Sequence, residues 1–385
     1  MKVLLLGGAG IVGRAAIKDL VAQDDVSQVI VADLEISRME QYIRMLGTSK
    51  VELRKIDVTD RRALVDLMRG CDVVGNATYW KFCVPVSKAA IEAKVHVVDI
   101  GGFYYETQKQ MALDAEAKTA GITMLSGCGS GPGINNVLAR YGADYLDQTD
   151  EIVMHCGGGA PSPNGPPPKG PGMTIRTVLD EFTSKPVVWE NGKYAEVPPL
   201  SGKEVVRFSE PIGEKTTYCS LHTELATLPL FIKGVKRVVL KVVFPEKEIA
   251  EIQPLIDMGL TKTEPILWEG KEVTPRQLLD VILVAKERKV EDAGSQIAAT
   301  LMTVSGVKAG MPTKLTYEYW VEQEKKWGNK KTGAPFVIGM LMLARKEFTQ
   351  RGFAAPEHLN PVAFIDQLKK RGFVFKETKE TTRSL

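Results

Sequence analysis

Apolar positions in the first third of the chain follow two alternating rhythms. Short β-branched runs at residues 3–6, 28–32, 51–56, 72–76, 95–100 and 123–125 read as buried strands. Between them, residues 13–23, 37–46, 61–68, 84–92 and 106–120 place apolar side chains at helical spacing. Strand and helix in regular alternation predict a parallel sheet with right-handed crossovers, hence a doubly wound Rossmann-type α/β domain over residues 1–133. The rhythm then changes. Residues 151–155, 187–189, 205–208, 237–244, 297–304 and 315–322 read as strands, interrupted by helices near 173–182 and 274–286. This predicts a second, α+β domain at 134–332, built on a mainly antiparallel sheet, for substrate and for dimerisation. Helices at 334–351 and 361–371 form a tail, 333–385, expected to return to the nucleotide domain. The Pro/Gly-rich stretch at 161–171 reads as an exposed loop, either a surface crossover or a lid.

The first strand runs straight into Gly7-Gly-Ala-Gly-Ile-Val-Gly13. Gly8, Gly10 and Gly13 have G-x-G-x-x-G spacing at a strand–turn–helix junction. There the first glycine permits the turn, the second lets backbone approach a pyrophosphate, and the third lets helix and strand pack closely. The diphosphate would rest on the N-terminal N–H groups of the helix, at Ile11, Val12 and Gly13. Asp33 ends the second strand about 20 residues beyond the glycines, where a carboxylate bonds the ribose hydroxyls and repels a 2′-phosphate. This favours NAD, with NADP possible because Arg38 lies one helical turn further on. Asp57 and Val58 end the third strand at the adenine edge. Asn76, Ala77 and Thr78 end the fourth near the nicotinamide, with Gly101 beyond the fifth. Asn76 could equally cap the following helix.

Bulk properties narrow the function. At 385 residues two domains are the natural reading, and 44% hydrophobic with 25% charged residues is ordinary for a globular protein. A net charge of +3 gives no electrostatic case for nucleic acid. The five cysteines form no C-x-x-C pair, which suits a reducing cytoplasm. No apolar run is long enough to span a bilayer, and no His/Cys/carboxylate group has metal-ligand spacing.

Val74-Gly-Asn-Ala-Thr-Tyr79, Val97-Val-Asp-Ile-Gly-Gly102, Gly129-Ser-Gly-Pro-Gly-Ile-Asn-Asn136, Met154-His-Cys-Gly-Gly-Gly-Ala-Pro161 and residues 353–371 resemble the saccharopine dehydrogenase-like family, over nearly the whole chain. Within it the sequence is most similar to L-lysine 6-dehydrogenases, through Glu196-Val-Pro-Pro-Leu200, Leu221-His-Thr223 and Thr274-Pro-Arg-Gln-Leu-Leu279. The family's saccharopine reductases usually carry an acid immediately before the Pro-Gly pair. Gly131 stands there in this chain, whereas their cysteine ahead of Gly-Gly is matched by Cys156. The resemblance implies hydride transfer at a carbon bearing nitrogen in an amino acid, and a homodimer. It points to oxidative deamination of lysine, with a saccharopine or carboxynorspermidine dehydrogenase as the alternative.

Such chemistry needs a neutral amine, hence a base or an apolar pocket that lowers its pKa. Candidates for catalysis are Tyr79, Cys156 and His222; Asp99 and Thr223 are candidates for substrate contact. Each has a plainer reading: Tyr79 as a wedge between domains, Asp99 as a turn cap, Cys156 as an inert buried thiol, His222 as a packed histidine. Arg176, Arg207, Arg237 or Arg276 could bind a carboxylate. A short-chain dehydrogenase or epimerase remains open, through Gly7/Gly10/Gly13 and Tyr105-Glu-Thr-Gln-Lys109. So does a non-catalytic NAD sensor, because a fold alone does not fix function.

Overall fold

The computed structural model describes residues 1–167, 174–287 and 294–382. The N-terminal layer runs β1 (Lys2–Leu6), α1 (Ile11–Val21), β2 (Gln28–Asp33), α2 (Ser37–Leu46), β3 (Val51–Lys55), α3 (Arg61–Met68), β4 (Val73–Asn76), α4 (Cys83–Ala93), β5 (His96–Asp99), α5 (Tyr104–Met111), α6 (Asp114–Ala120) and β6 (Thr123–Leu125). The expected single helix at 106–120 is therefore two. The break falls at Ala112 and Leu113, and Leu113 turns into the core at 6% exposure.

The rest continues as α7 (Ile134–Tyr145), β7 (Gln148–Pro161), α8 (Ile175–Thr183), β8 (Val187–Glu190), β9 (Lys193–Glu196), β10 (Glu204–Arg207), β11 (Glu214–Cys219), α9 (Glu224–Phe231), β12 (Arg237–Val243), α10 (Glu246–Asp257), β13 (Ile266–Trp268), β14 (Lys271–Val273), α11 (Pro275–Glu287), β15 (Ser295–Lys308) and β16 (Met311–Glu324). It closes with α12 (Lys330–Ala344), β17 (Gly352–Ala354), α13 (Pro361–Lys370) and β18 (Phe373–Thr381).

The first sheet is parallel throughout, with order β17-β6-β5-β4-β1-β2-β3. This is the doubly wound order with one extra strand from the C-terminal segment. Its topological switch lies between β1 and β4, where a ligand of an open α/β sheet binds. Val3, Leu4, Leu5 and Leu6 are fully buried because helices cover both faces, so β1 reads as an unbroken apolar run. The second sheet follows β10-β11-β12-β7-β15-β16-β18, with β8 and β9 paired off β12. It is antiparallel except between β7 and β12.

The C-terminal segment serves both sheets. Gly75 in β4 lets Met340 and Phe336 of α12 lie directly on the parallel sheet; a Cβ there would meet the Met340 sulfur at 2.5 Å. β17 then extends that sheet, whereas β18, which the apolar pattern does not predict, runs along β16 in the other one. Part of the proline loop, 168–171, lies outside the described residues. The described part is fastened to β16: Ser162 and Asn164 both donate to the Glu322 carboxylate.

Candidate active site

The glycine turn has the form a dinucleotide needs. Gly7 takes φ +78°, and a Cβ on it would sit 2.6 Å from the carbonyl oxygen of Ala77. A Cβ on Gly13 would lie 2.3 Å from the Gly7 oxygen and 2.6 Å from the Gly8 Cα. Backbone cannot yield to that, so α1 packs on the turn only because residue 13 is glycine. No side chain caps the start of α1 and no acid lies in its first turn. The N–H groups of Ile11, Val12 and Gly13 are therefore available to an anion. Asp33 is fixed at the end of β2: it accepts the Ala9 N–H (3.0 Å) and the Glu35 N–H (3.1 Å). The Arg38 side chain lies outside the described residues. Gly13→Ala should weaken binding of the reduced cofactor at least tenfold in a fluorescence titration. It should also lower stability by about 1–3 kcal/mol through overpacking.

At the far side of the switch, Asn76 is 1% exposed and closes the turn after β4. Its Oδ1 accepts from the Thr78 hydroxyl (2.6 Å) and the Thr78 N–H (3.2 Å), so it does not cap α4. Ala77 continues the β1 ladder by donating to Leu6. Asp57 holds its own turn, accepting from both the Thr59 N–H and hydroxyl, with Val58 beside it at the end of β3. Tyr79 belongs to a clamp between the two layers. Its hydroxyl (2.5 Å) and the Trp80 indole N–H (2.9 Å) both donate to one oxygen of Asp180 on α8. Arg276 of α11 donates to the other oxygen at 2.7 Å and to Asp280 at 2.8 Å. Burial first, and the Asp180 carboxylate second, push the Tyr79 phenol upward, so it stays protonated.

Two expected substrate contacts turn out to be internal ties. Asp99 is 4% exposed and takes four donors: the Gly101 N–H (2.8 Å), the Gly127 N–H (2.7 Å), the Gln110 amide (2.7 Å) and the Ser126 hydroxyl (3.3 Å). Three donors converge on Oδ1 and the Gln110 amide holds Oδ2, so the buried carboxylate ties the ends of β5 and β6 to α5. Thr223 is 2% exposed; its hydroxyl donates to the Gly102 carbonyl and accepts from Thr107. Gly101, at φ +96°, lies against Pro132, where a Cβ would be 2.5 Å from Cγ.

The loop 126–133 beyond β6 meets the second sheet at a buried polar centre. His222 Nδ1 is 2.9 Å from Glu224 Oε2, and its Nε2 faces Glu181 Oε1 at 3.8 Å. The side chains of Glu224 and Glu181 are 0% and 2% exposed, that of His222 13%. Burial pulls the imidazole pKa down, but the two carboxylates outweigh it and hold His222 well above its ordinary value. His96, His155 and His358 are all shifted the other way by burial, so His222 alone of the four is set to carry a proton at neutral pH. Glu224 Oε1 accepts from the Asn135 amide (2.9 Å), which also points at the Cys156 sulfur (3.1 Å). Asn135 in turn accepts from the buried Tyr319 hydroxyl at 3.0 Å.

Cys156 owes its direction to a bulge. Ala299 and Thr300 on β15 face Gly158 and Cys156, leaving Gly157 unpaired at φ +87°. Lys331 of α12 caps this irregularity by donating to the Ala299 carbonyl (2.6 Å) and the Thr300 hydroxyl (2.8 Å), and burial lowers its pKa to about 8. Burial first and Glu224 second raise the Cys156 thiol, so it is a neutral group here rather than a thiolate nucleophile.

Sequence reasoning missed Asp180, Glu181, Glu224, Asn135 and Lys331. Glu181 had a signal: a carboxylate on the same stretch of α8 as buried Val178, Leu179 and Phe182. Of the arginines, Arg207 pairs with Glu210 on the surface and Arg237 with Glu151 and Glu190. Arg276 and Arg176 lie by the clamp, Arg176 3.5 Å from Asp280. The Tyr-x-x-x-Lys reading fails. Tyr105 donates to Glu196, which pushes its pKa up to about 12, and Lys109 pairs with Glu106. Among the described residues no His/Cys/carboxylate group could hold a metal ion, and no helix is long and apolar enough to cross a membrane.

Residues 3–125 match the saccharopine dehydrogenase NADP binding domain and residues 129–373 the saccharopine dehydrogenase C-terminal domain. Carboxyaminopropylagmatine dehydrogenase of Synechocystis is 25% identical, covering 98% of both chains. Carboxynorspermidine synthase of Vibrio cholerae is 25% identical over 97% of this chain and 95% of that protein. In fold, the chain is similar to apo saccharopine dehydrogenase (L-Glu forming) of Saccharomyces cerevisiae. The TM-score is 0.73 at 20% identity, covering 98% of this chain and 99% of that one.

Proposed function

Because the chain belongs to the saccharopine dehydrogenase family, we propose that it oxidises, or in reverse forms, the C–N bond of a secondary amine in a carboxyalkylated polyamine. Its broader character, an NAD(P)-dependent oxidoreductase of amino-acid-related substrates, follows from the family. The observation that carries the substrate class is His222 held between buried Glu181 and Glu224. Two carboxylates against one imidazolium leave a desolvated negative charge, which attracts the ammonium groups of a polyamine.

When bound, NAD(P) takes up the hydride or returns it. Ile11, Val12 and Gly13 would hold its diphosphate and Asp33 its ribose, with Asn76, Ala77 and Thr78 beside the ring. In the oxidative direction the amine N–H proton passes to His222, while Glu224 keeps the imidazole oriented through Nδ1. Water then adds across the C=N bond, and the adduct breaks into an amine and a carbonyl compound. Asn135 holds Glu224 and Cys156 in place, and the part-exposed Cys156 thiol supplies a neutral donor for this water or the substrate.

The lysine 6-dehydrogenase reading rested on residues 196–200, 221–223 and 274–279, and the acid missing at Gly131 weakened its saccharopine-type alternative. A Cβ on Gly131 would lie 3.1 Å from Glu224 Oε1 and 3.2 Å from the Cys156 sulfur. Glu224 brings a carboxylate to that spot from α9, so glycine at 131 is no argument against a secondary-amine substrate.

A panel of carboxynorspermidine, saccharopine, ornithine and L-lysine, each with NAD⁺ and NADP⁺, tests this by absorbance of the reduced cofactor. The highest kcat/KM is expected on carboxynorspermidine; turnover of L-lysine alone would reinstate the deaminase. NAD⁺ should be preferred, because Asp33 repels a 2′-phosphate. Asp33→Ser should then shift the kcat/KM ratio toward NADP⁺ at least tenfold, about 1.4 kcal/mol. Wild-type preference for NADP⁺ would refute that assignment.

A further inference from the structure

The C-terminal half of α1, the start of β15, the end of β16, the start of α12 and the end of α13 border a cleft of about 820 Å³. That is within the size range of small-molecule sites, about 300–1,000 Å³. It is not the catalytic centre: none of Tyr79, Cys156, Glu181, His222 and Glu224 lines it. Nor is it the cofactor's place. The diphosphate would rest at Ile11, Val12 and Gly13, whereas Lys18 stands about 10 Å further along the axis of α1.

Three cations line this cleft: Lys18, Lys330 and Arg371. Its carboxylates are already engaged. Asp19 accepts from Arg371 (2.6 Å) and from Gln23 (3.0 Å). Glu322 is held by Ser162 and Asn164, and Glu324 pairs with Lys326 at 2.8 Å. Neither Lys18 nor Lys330 makes an ion pair or a hydrogen bond to a described residue; Lys18 rests its ammonium 4.1 Å from the centre of the Trp327 ring. Arg371, its side chain 11% exposed, leaves Nη2 without a hydrogen-bond partner.

Burial first, and Lys18 second, pull the Lys330 ammonium below its ordinary pKa, and Asp19 and Glu322 do not make up the difference. Lys18 is lowered too, by burial above all. Two partly desolvated ammonium groups that repel each other and pair with no acid make a site for an anion. Much of the remaining wall is apolar, with Ala15, Ala22, Pro166 and Ala334 presenting only carbon side chains. A bare inorganic ion would leave that wall against water, whereas a carbon skeleton would cover it.

We propose that this cleft is a second ligand site, for an organic anion with two or more acid groups, carboxylate or phosphate ester, that bridges Lys18 and Lys330. Because Lys18 belongs to α1 and Lys330 opens α12, the ligand fastens the helix of the glycine turn to the helix that covers β4.

Isothermal titration calorimetry on the full chain saturated with NAD⁺, at one low ionic strength, tests this with citrate and with fructose bisphosphate as probes. At least one of them should bind at a single site with Kd below about 1 mM, and the tighter of the two identifies the acid group. Lys18→Gln and Lys330→Gln should each weaken that binding about tenfold or more, the share of one charge-assisted hydrogen bond, with circular dichroism showing a folded chain. Lys18 is exposed, so its variant gives the answer if Lys330→Gln does not fold. His222→Asn should leave the binding unchanged. Failure of both probes to bind would overturn the proposal. So would inorganic phosphate binding as tightly as either probe, or binding that His222→Asn weakens and the lysine variants do not.

Discussion

Replacing His222 by asparagine is expected to cut kcat/KM for amine oxidation by about 10²–10⁴-fold, the usual contribution of a positioned proton acceptor. The reason lies in the pair of carboxylates around it. Glu224 at 2.9 Å and Glu181 at 3.8 Å raise the imidazole pKa in the folded protein. To accept the amine proton the ring must first be neutral, so oxidation should speed up as pH rises through that elevated value. The limb should vanish in His222→Asn. Stability carries the same sign. A raised folded pKa contributes stability that is fully present below the unfolded value, about 6.5, and is lost as pH climbs through the folded one. The stability gap between wild type and His222→Asn should therefore narrow as pH rises above about 6.5 toward the elevated folded value, followed by urea denaturation. A gap that widens with pH would mean that His222 folds as a neutral ring.

Asp99→Ala should destabilise the protein by about 3–5 kcal/mol, the cost of breaking a buried charged network by removing one partner. Four donors converge on that carboxylate, two of them backbone N–H groups at Gly101 and Gly127. The Gly127 N–H and one Gln110 N–H would be left buried without an acceptor, and the part-buried Gly101 N–H would lose its own. Because these groups shape the loops at the ends of β5 and β6, the effect is on folding first and on turnover through it. Chemical denaturation measures it directly; a loss below about 1 kcal/mol would show that water replaces the carboxylate.

The nucleotide-binding layer was legible because each strand there is buried on both faces and each crossover is helical, so composition alternates sharply. Gly8, Gly10 and Gly13 could be read from their spacing; a Cβ would collide at Gly8 with Val31 and at Gly13 with the backbone of the turn, whereas at Gly10 it would meet only the Gly7 oxygen at 3.4 Å. β18 could not. Most of it, Lys376–Thr381 included, is exposed on an edge, and no apolar alternation marks it. The exposed β9 was hidden for the same reason.

The candidate site was half legible. Tyr79, Cys156 and His222 stood out as candidates because their residue types carry chemistry near the ends of strands; the fold brings Cys156 and His222 to one polar centre and puts Tyr79 in the Asp180 clamp. Asp99 looked alike at that level; only the four donors around it reveal a structural tie. Glu224 sits only two residues from His222, but Glu181 reaches that ring from another helix and Asn135 meets Glu224 across 89 residues, which no local spacing records. Gly131 was read as an absence, whereas the fold fills that place from α9.

Deuterium placed on the carbon that bears the secondary nitrogen of carboxynorspermidine provides the most direct test. After a single turnover with NAD⁺, mass spectrometry of the reduced cofactor should find the label there, with the rate collapsing in His222→Asn. Label released to solvent, or transfer at an undiminished rate without His222, would contradict hydride chemistry at this centre.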